Sequence, residues 1–197
     1  MIARMINQKA ILHAIEVSSE YKQILARNNI TVHSVDIEKA LLPFCNESVD
    51  IIIANQVLEH TKEIFWIFHE ITRILRVGGK IIIGVPNLAS LHNRVLLALG
   101  KQPSSLKTAS AHIRGFTKKD IVEFVDGCFY GGYKLKAFGG SNFYPFPPFI
   151  AKPLAVLFPT MAWGIFFMLE KQGAYNKDFL DFPETMRLET NFYRGEI

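Results

Sequence analysis

The side chains best suited to chemistry gather where apolar runs end. Glu16 lies near the end of Ile11–Val17, and Asp36 follows Ile30–Val35. Asn55 and Gln56, then Glu59 and His60, follow Val49–Ala54. Pro86-Asn87 closes Lys80–Val85, and His112 sits in His112-Ile-Arg-Gly-Phe-Thr117. Carboxylates accept hydrogen bonds, side-chain amides both donate and accept, and a neutral imidazole can take up a proton close to neutral pH. Glu59-His60 is therefore a candidate acid–base pair. Cys45 and Cys128 give neither a disulfide framework nor a zinc spacing, so no metal is expected and a reducing, cytoplasmic compartment suits the chain.

These residues need elements to carry them. Ile11–Val17 reads as a strand, and Ser18 and Ser19 as caps for a helix with Tyr21, Ile24 and Leu25 on one face. Asn28-Asn29 stops it before a second strand, Ile30–Val35. The third strand, Val49–Ala54, is β-branched and almost wholly apolar, as in a sheet covered on both faces. Ile64, Phe65, Ile67, Phe68, Ile71, Ile74 and Leu75 repeat at helical spacing, with Glu63, His69, Glu70 and Arg73 on the other side. Gly78-Gly79 is the expected left-handed stop, and Lys80–Val85 the fourth strand. A strand–helix–strand unit of this length predicts parallel neighbours in one sheet, and open α/β sheets take ligands outside their carboxyl ends.

Beyond Asn87 the pattern loosens. A helix is expected around Leu91–Leu99, another opened by the capping box Thr117/Asp120 and running through Val125, and strands near Tyr133–Phe138 and Trp163–Leu169. The chain has 197 residues, a net charge of +4 and a pI near 9.0. That length suits one well-buried domain. Its cations are scattered among acids, so no nucleic-acid partner is expected. Met1–Ala10 lacks a signal-peptide core. Pro153–Leu169 carries no charge but is interrupted by Pro153, Pro159 and Gly164, and reads as a broken apolar segment feeding a buried strand rather than a membrane span.

The ordered set Ala14-Ile-Glu-Val-Ser18, Asp36 ahead of Leu42-Pro-Phe44, Ser48-Val-Asp50 leading to Glu59-His60, and Arg73-Ile-Leu-Arg-Val-Gly-Gly79 leading to Pro86-Asn87 resembles the class I S-adenosylmethionine-dependent methyltransferases, in particular those acting on small molecules, lipids and glycans. The resemblance covers about residues 11–126, with a weaker echo to Lys171, a span of one compact domain. It implies an α/β fold with a doubly wound, mostly parallel sheet, a methyltransferase-like domain over 1–172, a polar tail over 173–197 and S-adenosylmethionine as cofactor. Glu16, with Val17 beside it, would accept hydrogen bonds from the two ribose hydroxyls; alternatively it is an acid at a helix start. Asp36 would accept from the adenine amino group with Ile37 against the ring, or simply cap a turn. Asn55 and Gln56 would border the methionine end, or be ordinary strand-end polar residues. His60 would be the base for methyl transfer, with Glu59-His60 shaping the loop as the alternative. His112 would help open the next helix.

The family also places a strand and a glycine-rich turn ahead of the first strand seen here, yet no glycine precedes Gly78. Met1–Ala10 resembles the end of the helix after that turn. The chain is thus expected to be truncated at its amino terminus, by a late gene start, by nature, or as a fragment that another chain completes, possible self-association included. The acceptor would be small or linked to a lipid or glycan, held by residues 88–115 and 139–162. The aromatic stretch around Phe143, Phe146 and Phe149 would permit peripheral membrane contact. A competing expectation is a degenerate binding or membrane-surface module without catalysis. Nucleic-acid methylation ranks last, for want of an Asn-Pro-Pro-Tyr-like motif.

Overall fold

The computed structural model describes residues 9–189 and 192–195; most of the helix end expected at Met1–Ala10 lies outside them. The chain divides into two compact units, Met1–Pro43 and Phe44–Ile197.

In the first unit β1 (His13–Ile15) pairs in parallel with β2 (Thr31–His33), joined by α1 (Ser19–Arg27). Ser18 stands at the N-cap without a side-chain cap bond; its backbone N–H instead donates to Glu16 Oε1 at 2.7 Å. Both strands are shorter than the apolar runs that announce them.

The second unit carries β3 (Val49–Asn55), α2 (Ile64–Ile74), β4 (Leu75–Pro86), α3 (Leu91–Ala98), α4 (Lys118–Cys128), β5 (Tyr133–Ser141), α5 (Pro148–Leu157), β6 (Gly164–Lys171) and α6 (Asp178–Thr185). Its sheet runs β3-β4-β6-β5; β3 and β4 are parallel, while β6 lies antiparallel to both β4 and β5. The fold is therefore α/β with a mixed sheet. Register puts Ile52, Ala54, Ile81, Ile83, Ile165 and Phe167 on one side, most of them buried. On the other side Ile51 and Ile53 of β3 stand 57% and 66% exposed, so this strand is not covered on both faces as its composition predicts. It is an edge strand: the strand that the resemblance places beside it is not among the described residues.

The core forms where α2, α4 and α6 pack through aromatic rings. Phe68 lies 5.1 Å from Phe124 and 5.4 Å from Phe179, centroid to centroid. Pairs at this spacing add edge-to-face attraction to their area burial. Helix α2 corrects the sequence reading twice. It ends at Ile74, ahead of the glycines, although Gly78 does adopt φ +77°. His69 and Glu70, expected outward, are buried. Tyr175 hydrogen-bonds His69 Nδ1 at 2.8 Å, and Arg73 grips both Glu70 oxygens at 2.7 Å. The expected polar tail supplies that cover, since α6 buries Phe179 and Leu180.

Lys171, at the end of β6, is buried with its ammonium donating to the carbonyls of Thr72 and Leu75 at 2.9 and 2.8 Å and facing Glu47 at 3.1 Å. The capping box at Thr117 is present as expected. The proline-broken stretch is a helix, α5, followed by one 3-10 turn and then β6. No helix among the described residues is long and apolar enough to cross a membrane.

Candidate functional site

At the carboxyl end of β3 the chain turns sharply. Gln56 has φ +56°, and its N–H donates to Gly84 O on β4 at 2.8 Å. A Cβ at Gly84 would collide with the Asn55 side chain and stand 2.7 Å from the Phe166 ring, so glycine lets β3, β4 and β6 converge there. One 3-10 turn, Leu58–His60, follows. Fully buried Leu58 anchors it, Glu59 points inward and His60 outward.

A second segment is clamped onto that turn. The Glu59 carbonyl accepts from Ile113 N at 2.8 Å and from Arg114 N at 3.3 Å. The Arg114 guanidinium reaches on to Thr61 O and Lys62 O, at 3.1 and 2.6 Å. His60 Nδ1 lies 3.2 Å from Ala111 O, and His112 Nδ1 lies 3.0 Å from Ser105 O. The two imidazoles meet edge to face with centroids 4.6 Å apart. The Glu59 carboxylate beside them is 1% exposed, and neither oxygen has a hydrogen-bond partner among the described residues.

This convergence is what sequence reasoning missed. His60 and His112 each stood out singly, but the bonds joining their segments are mostly to backbone carbonyls, which leave no residue-type signature. Only Arg114 betrays the clamp, as a cation between Ile113 and Gly115-Phe116. Asn87 plays a positioning part: its Nδ2 donates to Thr160 O and Ala162 O at 2.9 and 2.8 Å, and its Oδ1 accepts from Ala89 N at 2.9 Å. Beyond it His92 packs against Tyr144 and Trp163, at 4.7 and 5.4 Å, and bonds Ser104 Oγ at 2.9 Å. That aromatic wall also went unread.

The remaining predicted residues lie in the first unit or at the strand end. Glu16 is half-buried just past β1, with one oxygen engaged by Ser18 N. Val17 is exposed. Asp36 is exposed and its Oδ1 accepts from Glu38 N at 3.0 Å, a turn-capping bond, with Ile37 half-buried beside it. Asn55 and Gln56 are exposed at the end of β3.

Residues 2–83 match the family model described as a methyltransferase domain. No curated protein matches the chain. Among solved structures it is similar to an S-adenosylmethionine-dependent methyltransferase of Thermotoga maritima (15% identity, 80% of this chain and 72% of that one, TM-score 0.56). Another is a Methanosarcina mazei S-adenosylmethionine-dependent methyltransferase (12%, 88% of each chain, 0.57). A third is the 1,6-didemethyltoxoflavin N1-methyltransferase of Burkholderia thailandensis, solved with its substrate and S-adenosylhomocysteine (12%, 87% of this chain and 66% of that one, 0.54).

Proposed function

We propose that the chain is a class I S-adenosylmethionine-dependent methyltransferase and that it methylates a small acceptor at the Glu59–His60–His112 end of its sheet, a reading supported by the family-model match, the likeness in fold and the ordered motifs. The clamp between the Leu58–His60 turn and residues 111–114 is the observation that carries this reading. It builds a polar, backbone-braced corner just beyond strand ends, where open α/β sheets take their ligands.

The bound cofactor supplies an electrophilic methyl group on a sulfonium. Each residue assigned to it carries a donor or acceptor of the right kind, taken one by one. Glu16 keeps one carboxylate oxygen beyond its bond to Ser18 N for a ribose diol. Asp36 keeps Oδ2 for an adenine amino group, and Val17 and Ile37 supply apolar contact beside them. Asn55 and Gln56 offer amides to an amino-acid end. His60 donates Nδ1–H to Ala111 O, which leaves its exposed Nε2 able to take a proton from an acceptor hydroxyl or amine.

Calorimetric titration of the full chain with S-adenosylhomocysteine tests the cofactor half. Asp36→Ala and Glu16→Ala are each expected to weaken binding about tenfold, equivalent to about 1.4 kcal/mol. No binding by the 197-residue chain, or unchanged affinity in both variants, sinks the assignment. With an acceptor that supports turnover, His60→Ala should lower kcat by roughly 10²- to 10⁴-fold.

A second reading, an acceptor presented at a lipid surface, draws on α3 and α5. Leu91, Ala151, Leu154 and Ala155 pack together, while Leu97, Phe149, Val156 and Leu157 stand 56–78% exposed. Apolar patches of this kind mark interaction surfaces. Flotation with anionic vesicles tests it: a chain that stays wholly soluble, or Phe149→Asp/Leu157→Asp floating as well as wild type, removes this reading.

A further inference from the structure

Glu59 poses a question that methyl transfer leaves open. Its carboxylate is buried, both oxygens lack a hydrogen-bond partner, and no ion pair joins it to a described residue. A bare buried carboxylate is costly in a low-dielectric interior, and a bound cation would compensate it. Two imidazoles face it, from His60 and His112. Each ring has Nδ1 against a backbone carbonyl, at 3.2 and 3.0 Å, and a carbonyl only accepts. Both rings therefore carry hydrogen on Nδ1, and in the neutral form both offer Nε2 as a lone pair. A carbonyl behind one ring nitrogen is how proteins orient histidine ligands toward a metal.

We propose that Glu59, His60 and His112 bind a divalent transition-metal ion, with coordination positions left open on the His60 side for an oxygen of the acceptor. One ligand atom from each residue lies within 4.8 Å of the others. Ligand atoms around a tetrahedral zinc stand roughly 3.4 Å apart, given bonds of roughly 2.0–2.1 Å. Closing that gap needs a small inward shift of the exposed His60 ring from its present place against Ala111 O. The framework does not depend on the ion, since Ile113 N on Glu59 O and Arg114 on Thr61 O and Lys62 O already hold the two segments together.

Donor type sets the metal. Two imidazoles and one carboxylate suit zinc, iron(II) or cobalt(II), whereas magnesium favours all-oxygen sites with several waters. Three protein ligands with an open position are the pattern of catalytic sites. An ion there would acidify a bound hydroxyl. His60 would then act as a ligand to the metal in place of a base. Metal binding stands on three side chains and is testable apart from methyl transfer; the acceptor's place on the ion rests on the function proposed above.

The test uses the full chain, stripped with chelator and titrated with Co²⁺ while visible absorption is followed, then with Zn²⁺ in competition. One equivalent is expected to give a d–d band that Zn²⁺ abolishes. His60→Ala and His112→Ala should each weaken binding at least tenfold, and Glu59→Gln more. His92→Ala, outside the cluster, should leave it unchanged. Thermal melts followed by circular dichroism keep the result readable, and His112→Ala decides if Glu59→Gln fails to fold. No band in a folded chain, or a band indifferent to His112→Ala, overturns the proposal. Titration with S-adenosylhomocysteine is scored separately, so loss of the metal site and loss of the cofactor site are distinguishable.

Discussion

His69 shows how one residue can carry a pH dependence far from the candidate site. Burial lowers its imidazole below the ordinary value of 6.5; Arg73 and Lys177 push the same way, and Glu70 and Asp181 oppose them. The Tyr175 hydroxyl accepts from Phe179 N at 3.3 Å, so it can donate to His69 Nδ1, a bond that needs the neutral ring. The unfolded chain takes up a proton as pH drops through about 6.5, and the native state refuses it until lower pH. Stability should therefore be full above about pH 7 and fall as the pH drops through about 6.5 and below. Calorimetric melts should show that slope reduced in His69→Gln; an unchanged slope would show that other groups cause it. Periodicity put His69 on the solvent side because a helix seen alone has only one apolar stripe. What covers its other side comes from α6, a hundred residues on, beyond any local pattern. Burial also pushes the Cys128 thiol up to about 12, which makes it inert near neutral pH.

Elements were legible in proportion to how locally they are stabilised. The box at Thr117 reads directly because its two bonds, Asp120 N to Thr117 Oγ1 at 3.2 Å and Thr117 N to Asp120 Oδ2 at 3.0 Å, span three residues. Thr117→Ala should cost about 1 kcal/mol, seen as a lower denaturation midpoint at unchanged slope. Helix α6 was hidden because Pro183 and its acids make the segment look polar, although Phe179 is fully buried against Phe68 and Phe124. Phe179→Ala should destabilise by about 3–5 kcal/mol in the same assay; a loss under 1 kcal/mol would mean that α6 is not part of the core. Pro153 likewise suggested a break. It stands in the middle of α5, whose backbone tolerates it on an exposed turn.

At the scale of the molecule, the sequence pattern foretold parallel pairing of β3 with β4 but not the antiparallel insertion of β6, because apolar alternation carries no direction. Apart from Leu42, the buried apolar residues, from Phe68 and Ile83 to Phe167 and Phe179, lie within Phe44–Ile197. Residues 44–197 expressed alone should melt cooperatively; a molten fragment would show that the first unit is needed for folding. Its exposed Ile51 and Ile53 make β3 an adhesive edge, so Ile53→Lys should reduce self-association of that fragment in sedimentation. The order β3-β4-β6-β5 has one more consequence, in the time dimension of synthesis. Strand β4 leaves the ribosome well before β6, and among the described residues β5 pairs in this sheet with β6 alone. Until Lys171 emerges to seat its ammonium on the carbonyls of Thr72 and Leu75, one edge of β4 and the whole of β5 lack a partner in this sheet. The last strand made is the one that closes the sheet, so a nascent chain stalled before it would be the species that chaperones have to hold.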